Sequence, residues 1–364
     1  FHWDYPLCLH HRGGWSNPSS PNWFEEFTGV VVDRLSDRVS KWLTINEPQV
    51  FINLGFGEGV HAPGLKLPMS DRVLIAHRVM QAHGLSARKI RERARTTPQI
   101  GWAPVGTAFM PATDREEDIE AARIATNTCS PDSFWSNTWF NDPVFLGSYP
   151  EDGLKLYAQH LPSGWERDLA QIHQPMDLFG VNIYRGTFVR AGAGGTIESL
   201  PVPSGYPRTA FSWEITPSCL YWAPKFLYER YHRPIMITEN GIANRDWVMS
   251  DGKVRDPQRV DYTAAHLREL ARAIDDGVRV DAYFHWSLLD NFEWAEGYDQ
   301  RFGLVHVDFD TQKRTLKDAA TWYADVVASH GAALDTSPHA SATLAHAGLG
   351  APRRASESPD PAGH

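Results

Sequence analysis

Two glutamates close two apolar runs. "KWLTINEP" (residues 41–48) carries Glu47 near its end, and "PIMITENG" (234–241) carries Glu239. Each is followed at once by turn residues, Pro48 in one case and Asn240-Gly241 in the other. A single carboxylate of this kind is ordinarily a loop residue in a surface salt bridge. A pair, each beside an asparagine, in a chain with 14 Trp, suggests different chemistry. Cleaving a glycosidic bond needs one protonated carboxyl to assist the leaving oxygen and one ionised carboxylate to attack or to activate water. At about 5–5.5 Å separation the second acts as a nucleophile and configuration is retained. At that range each charge raises the other's pKa, so one proton is shared unequally. Sugars also stack on flat aromatic rings, which gives the Trp excess a use besides core packing.

Such a pair has to be carried by elements that face one another. Three more apolar runs recur, "QIGWAPVG" (99–106), "MDLFGVNIY" (176–184) and "VDAYFHWSLLD" (280–290). Their cores are continuous rather than alternating, as expected of parallel strands covered on both faces. Helical patterns lie between and after them at 70–93, 256–277 and 316–331, with Asp256, Pro257 and Gly277 as start and stop signals. Strand alternating with helix means α/β, either a (β/α)8 TIM barrel or a doubly wound sheet. Polar residues gather at the C-terminal strand ends: Asn46-Glu47, Asn182 with Tyr184, Glu239-Asn240, and Trp286 through Asp290. That is where barrel enzymes keep their chemistry. The glycine-rich "GFGEGV" (55–60) puts Val60 where a dinucleotide fingerprint needs glycine, and reads as a flexible loop.

A net charge of -9 and a pI near 6.0 argue against a nucleic-acid surface. No apolar stretch is long enough to span a bilayer, so no membrane partner is expected. Cys8, Cys129 and Cys219 are widely spaced and read as buried reduced thiols of a cytoplasmic protein, with the region before Phe1 left open. The histidines of "CLHH" (8–11) and the His77/His83 pair lack metal-ligand spacing and read as solvated or capping residues. Neither a metal nor a cofactor is expected. Residues 332–364 are small, polar and proline-rich, so a folded domain over 1–331 and a disordered tail are expected.

"WLTINEP" resembles the acid/base motif of glycoside hydrolase family 1, the retaining β-glucosidase family. "MITENG" is similar to its nucleophile motif, and "HWSLLDNFEWAEGYDQRFGLVHVDFDTQKRTLK" resembles its last strand signature. The resemblance runs over roughly residues 1–330. It implies Glu47 as acid/base and Glu239 as nucleophile, with Asn46 on the sugar 2-hydroxyl and Tyr184 holding Glu239. Asn182 belongs to the same strand end as Tyr184. Trp286 would lie under the sugar ring. Glu293 and Trp294 would grip the 3-, 4- and 6-hydroxyls, and His2 with Trp3 would complete that wall. The implied partner is a small β-glucoside or cello-oligosaccharide, with galactosyl and fucosyl residues as alternatives. A carboxylate at Glu293 repels a 6-phosphate, which disfavours the family's phospho-glycosidase branch.

Only five complete strands and a stub are found, so the barrel is expected to be incomplete, with strands 1, 2 and most of 3 missing. "FHWD" (1–4) would then be the end of strand 3. The Gln and Arg that family members carry on the earlier strands are absent from it, and weak binding and slow turnover are the expectation. The competing readings are an inactive barrel fragment and a sugar-binding pseudoenzyme.

Overall fold

Strands without polar alternation need cover on both faces. In a computed structural model, which describes residues 1–336, the five apolar runs take up that arrangement. Among the described residues there are ten strands, of which the first three are β1 (Lys41–Asn46), β2 (Gln99–Ala103) and β3 (Ala108–Pro111). The next four are β4 (Phe179–Asn182), β5 (Gly186–Ala191), β6 (Ile197–Leu200) and β7 (Ile235–Asn240). The last three are β8 (Val280–His285), β9 (Val305–Val307) and β10 (Arg314–Leu316).

β1 pairs parallel with β2, and β4, β7 and β8 form a parallel sheet in that order. A parallel bridge, Val105 to Asn182, joins the two groups, and Gly106 N donates to Asn182 O at 2.8 Å. The spatial order β1-β2-β4-β7-β8 is therefore also the chain order, as successive right-handed strand–helix crossovers produce. Phe1 runs along the free side of β1. Its ammonium donates to Thr44 O at 2.7 Å, and Asn46 N donates back to Phe1 O at 2.9 Å. Among the described residues no strand lies on the outer side of β8.

The helices Ser20–Leu35 and Met69–Arg93 cover one flank, and Pro257–Asp275 and Asp318–Ala328 lie at the other end of the strand order. Met69–Arg93 turns Val73, Ala76, Met80, Ala87 and Ile90 inward at helical spacing. Gly84 lets it approach the chain at Gln171, where a Cβ would stand 2.0 Å from the Gln171 carbonyl oxygen. The side sheet β3-β5-β6 and the hairpin β9-β10 lie outside the parallel series.

Four expectations change. The segment read as a flexible loop at 55–60 is mostly π-helical, over Phe51–Glu58, with Gly55 pressed against the Ala62 carbonyl. Cys129 and Cys219 are buried free thiols, but Cys8 is exposed, because the short helix Leu7–His10 buries none of its residues. His77 and His83 are neither solvated nor capping. Both are buried, His77 bridging Tyr149 at 2.8 Å and Asp168 at 3.0 Å, and His83 bonded to Thr44 at 2.7 Å. Local sequence gives no sign of this, because each finds its polar partner on a distant element. Within the segment expected as a tail, Ala333–Thr336 is helical, and the remainder of 332–364 lies outside the described residues.

Candidate active site

Glu47 directly follows β1 in a left-handed conformation, φ 41° and ψ 63°. For a residue with a Cβ that costs on the order of 1–2 kcal/mol. The surroundings hold it there. Glu47 N donates to Ala103 O at 2.7 Å, its carbonyl accepts from Val50 N at 3.0 Å, and Pro48 starts the next helical turn with its φ already set. One residue earlier, the Trp3 indole donates to the Asn46 carbonyl at 3.0 Å.

Asn182, at the end of β4, joins the two halves of the site. Its amide donates to Glu47 Oε1 at 3.0 Å and to Asn46 Oδ1 at 3.0 Å, and its own Oδ1 accepts from the Thr238 hydroxyl. In the β4–β7 register Asn182 stands opposite Glu239. Tyr184, two residues on, donates its hydroxyl to Glu239 Oε2 at 2.7 Å, while its backbone carbonyl accepts from Tyr262 at 2.8 Å. Asn240 is pinned between strands, donating to Ile183 O at 2.8 Å and accepting from Tyr283 at 2.8 Å.

The electrostatics follow from burial. Glu47 is pushed up to about 7, by burial first and by the charge of Glu293, against the hydrogen bond from Asn182. Glu239 is raised well above the usual carboxylate range by burial and then by the charge of Glu47, while Tyr184 and Asn182 pull it down. Glu293 also rises to about 7, mainly through burial, with the Trp286 side chain opposing the shift. Tyr184 is itself raised by burial and by Glu239, and stays protonated as a donor. Among the described residues no Lys or Arg forms an ion pair with any of the three glutamates, so no cation offsets the burial and like-charge repulsion that raise all three.

Around the carboxyls stands an aromatic wall. His2 lies 5.7 Å from Trp286 and 5.5 Å from Trp294, ring centre to ring centre, and Trp3 lies 4.3 Å from Trp294. Asn46 donates to His2 at 3.2 Å, which links the wall to the carboxyl pair. The structure thus gathers Glu47, Glu239, His2, Trp3, Asn46, Asn182, Tyr184, Trp286, Glu293 and Trp294 into one connected cluster. Two neighbours went unanticipated. His61 packs on Trp3 at 5.7 Å and on Trp294 at 6.2 Å, and Trp213 lies 5.4 Å from Tyr184. Neither sits at a strand end, and the Trp excess was the only hint of the second. Among the described residues no group of three or more His, Cys, Asp or Glu is arranged to hold a metal ion. No helix among them is long and apolar enough to cross a membrane.

The chain is 41% identical over 332 residues to a 1,4-beta-D-glucan glucohydrolase of Thermotoga neapolitana, covering 91% of this chain and 73% of that protein. It is 39% identical over 333 residues to Beta-glucosidase A of Thermotoga maritima, with the same coverage of 91% and 73%. The solved structure of a β-glucosidase from Thermotoga maritima in complex with glucoimidazole superposes with a TM-score of 0.81 at 39% identity, over 91% of this chain and 73% of that one. The model of glycosyl hydrolase family 1 matches residues 1–332. The chain belongs to glycosyl hydrolase family 1.

Proposed function

We infer that the chain is a retaining β-glucosidase, a glycoside hydrolase that releases terminal non-reducing β-D-glucosyl residues from small β-glucosides or cello-oligosaccharides. Its five parallel strands are read as consecutive members of a (β/α)8 barrel. One observation carries the proposal: Asn182 bonds Glu47 while standing in register with Glu239, so two buried carboxyls are held at one mouth.

Glu47 is the acid/base. With a pKa near 7 it holds a proton at working pH and donates it to the leaving oxygen as the glycosidic bond breaks. Glu239 is the nucleophile. Burial and its neighbours favour its neutral form, but it accepts from two donors, Tyr184 and Asn182. It attacks as the carboxylate, its proton having passed to solvent before the substrate closes the site, and the positive charge developing at the anomeric carbon adds to those donors in stabilising the anion. The ester that forms removes its charge, which lowers the pKa of Glu47. Now ionised, Glu47 takes a proton from water, and that water opens the ester from the face the leaving group left, restoring the original configuration. His2, Trp3, Trp286, Glu293 and Trp294 form the sugar wall, and Asn46 reaches the 2-hydroxyl.

Incubation with a 2-deoxy-2-fluoro-β-glucoside bearing a good leaving group tests the assignment. A stable adduct on the peptide containing Glu239 is expected. An adduct on a different carboxylate, or none from the folded chain, overturns it.

A further inference from the structure

Next to the sugar wall lies a second charged cluster that the chemistry does not use. Lys317, with 1% of its surface exposed, donates to Asp290 Oδ1 at 2.8 Å and to Asp246 Oδ2 at 2.6 Å. Arg259, fully buried, donates to the same Asp246 oxygen at 2.8 Å, to Asp256, and to the Arg301 carbonyl at 2.8 Å. Arg301 donates to Asp290 Oδ2 at 2.7 Å and to Val307 O at 2.9 Å. Three cations thus balance three carboxylates. Burying so many charges gives little stability over an apolar core, but it tolerates few alternative geometries.

The members come from separate segments. Asp246 follows β7 and Glu239. Asp290 and Arg301 bracket residues 291–300, which carry Glu293 and Trp294, and Lys317 follows β10. Asp290 also accepts from Gly303 N at 2.9 Å, and Arg301 exchanges backbone hydrogen bonds with Asn244 at 3.0 and 3.2 Å. The two ends of the 291–300 segment are therefore clamped to each other and to the chain that follows Glu239.

The geometry points to Lys317, Asp290 and Arg301 as positioning residues of the sugar site, acting through Glu293 and Trp294. This rests on the sugar-binding roles proposed above. The test compares a 4-nitrophenyl β-glucoside with the matching β-xyloside, which lacks the 6-hydroxymethyl group, in Lys317→Met, Asp290→Asn and the milder Arg301→Gln. The glucoside KM is expected to rise, and the glucoside-to-xyloside ratio of kcat/KM to fall about tenfold. Adding Glu293→Gln should change that ratio by less than about twofold more, as expected for residues acting as one unit. An equal loss on both substrates, or fully multiplicative effects, overturns the inference. If the buried variants do not fold, Arg301→Gln decides alone, since its side chain is 18% exposed. The ratio of equilibrium binding constants for glucose and xylose reads the same 6-hydroxymethyl recognition in the ground state, without turnover. A wild-type chain that binds glucose but hydrolyses neither glycoside overturns the proposed function, and the binding ratio still tests the positioning role.

Discussion

Tyr184 donates its hydroxyl to Glu239 at 2.7 Å, and burial keeps that phenol protonated. Without it Glu239 loses one of the two donors that favour its ionised form. Tyr184→Phe is expected to lower kcat/KM by roughly 10- to 100-fold, the range set by a hydrogen bond to a charged group. Its acid limb should move to higher pH, because removing a donor from a carboxylate raises its pKa. A pH profile of kcat/KM checks both.

Glu47→Gln keeps an acceptor for Asn182 but carries no proton to donate. Turnover of substrates with poor leaving groups should fall about 10²- to 10⁴-fold, while activated substrates still label Glu239. The basic limb near pH 7, set by Glu47, should vanish from the kcat/KM profile. Azide should restore turnover by taking the place of the activated water. Persistence of the basic limb in Glu47→Gln would assign it to another group.

The same substitution tests a stability effect. Glu47 rises from 4.5 to about 7 on folding, so between those values the native state binds more protons than the unfolded chain. Stability is then fully present below pH 4.5 and is lost as pH climbs through 7. Glu47→Gln removes that loss. It should unfold like wild type at pH 4.5 and be more stable at pH 8, by at most about 3 kcal/mol. Urea unfolding at the two pH values measures the difference.

Gly241 closes the MITENG motif, and a Cβ there would stand 2.0 Å from the Trp286 carbonyl oxygen. That atom is backbone and cannot swing away. Gly241→Ala is expected to force β7 and β8 apart at the site, costing about 1–3 kcal/mol. Because Trp286 moves with it, weaker sugar binding should accompany the drop in melting temperature. A variant with normal melting and normal KM would show that the strands yield without consequence.

The carboxyl pair was legible because strand-end glutamates announce themselves: an apolar run, a Glu, then a turn residue. The five parallel strands were legible for the same reason, continuous apolar runs being hard to place elsewhere. What escaped reading shares a different property. His77 depends on Asp168 and His83 on Thr44, contacts between residues far apart in the chain that no local pattern encodes. The π-helix at Phe51–Glu58 contains glycines that read as a loop, although Gly55 is needed where the chain approaches the Ala62 carbonyl. His61 reaches Trp3 and Trp294 from a loop for which periodicity has no signal.

The left-handed backbone of Glu47 has a consequence for how this protein could change. Glycine takes φ 41° without penalty, and asparagine tolerates it better than glutamate does. Either would also remove a carboxyl whose ionisation disfavours the folded state at neutral pH. Selection for heat tolerance alone would therefore push position 47 away from glutamate, trading turnover for robustness. In a library screened only for survival on heating, inactive chains altered at this one position should be enriched.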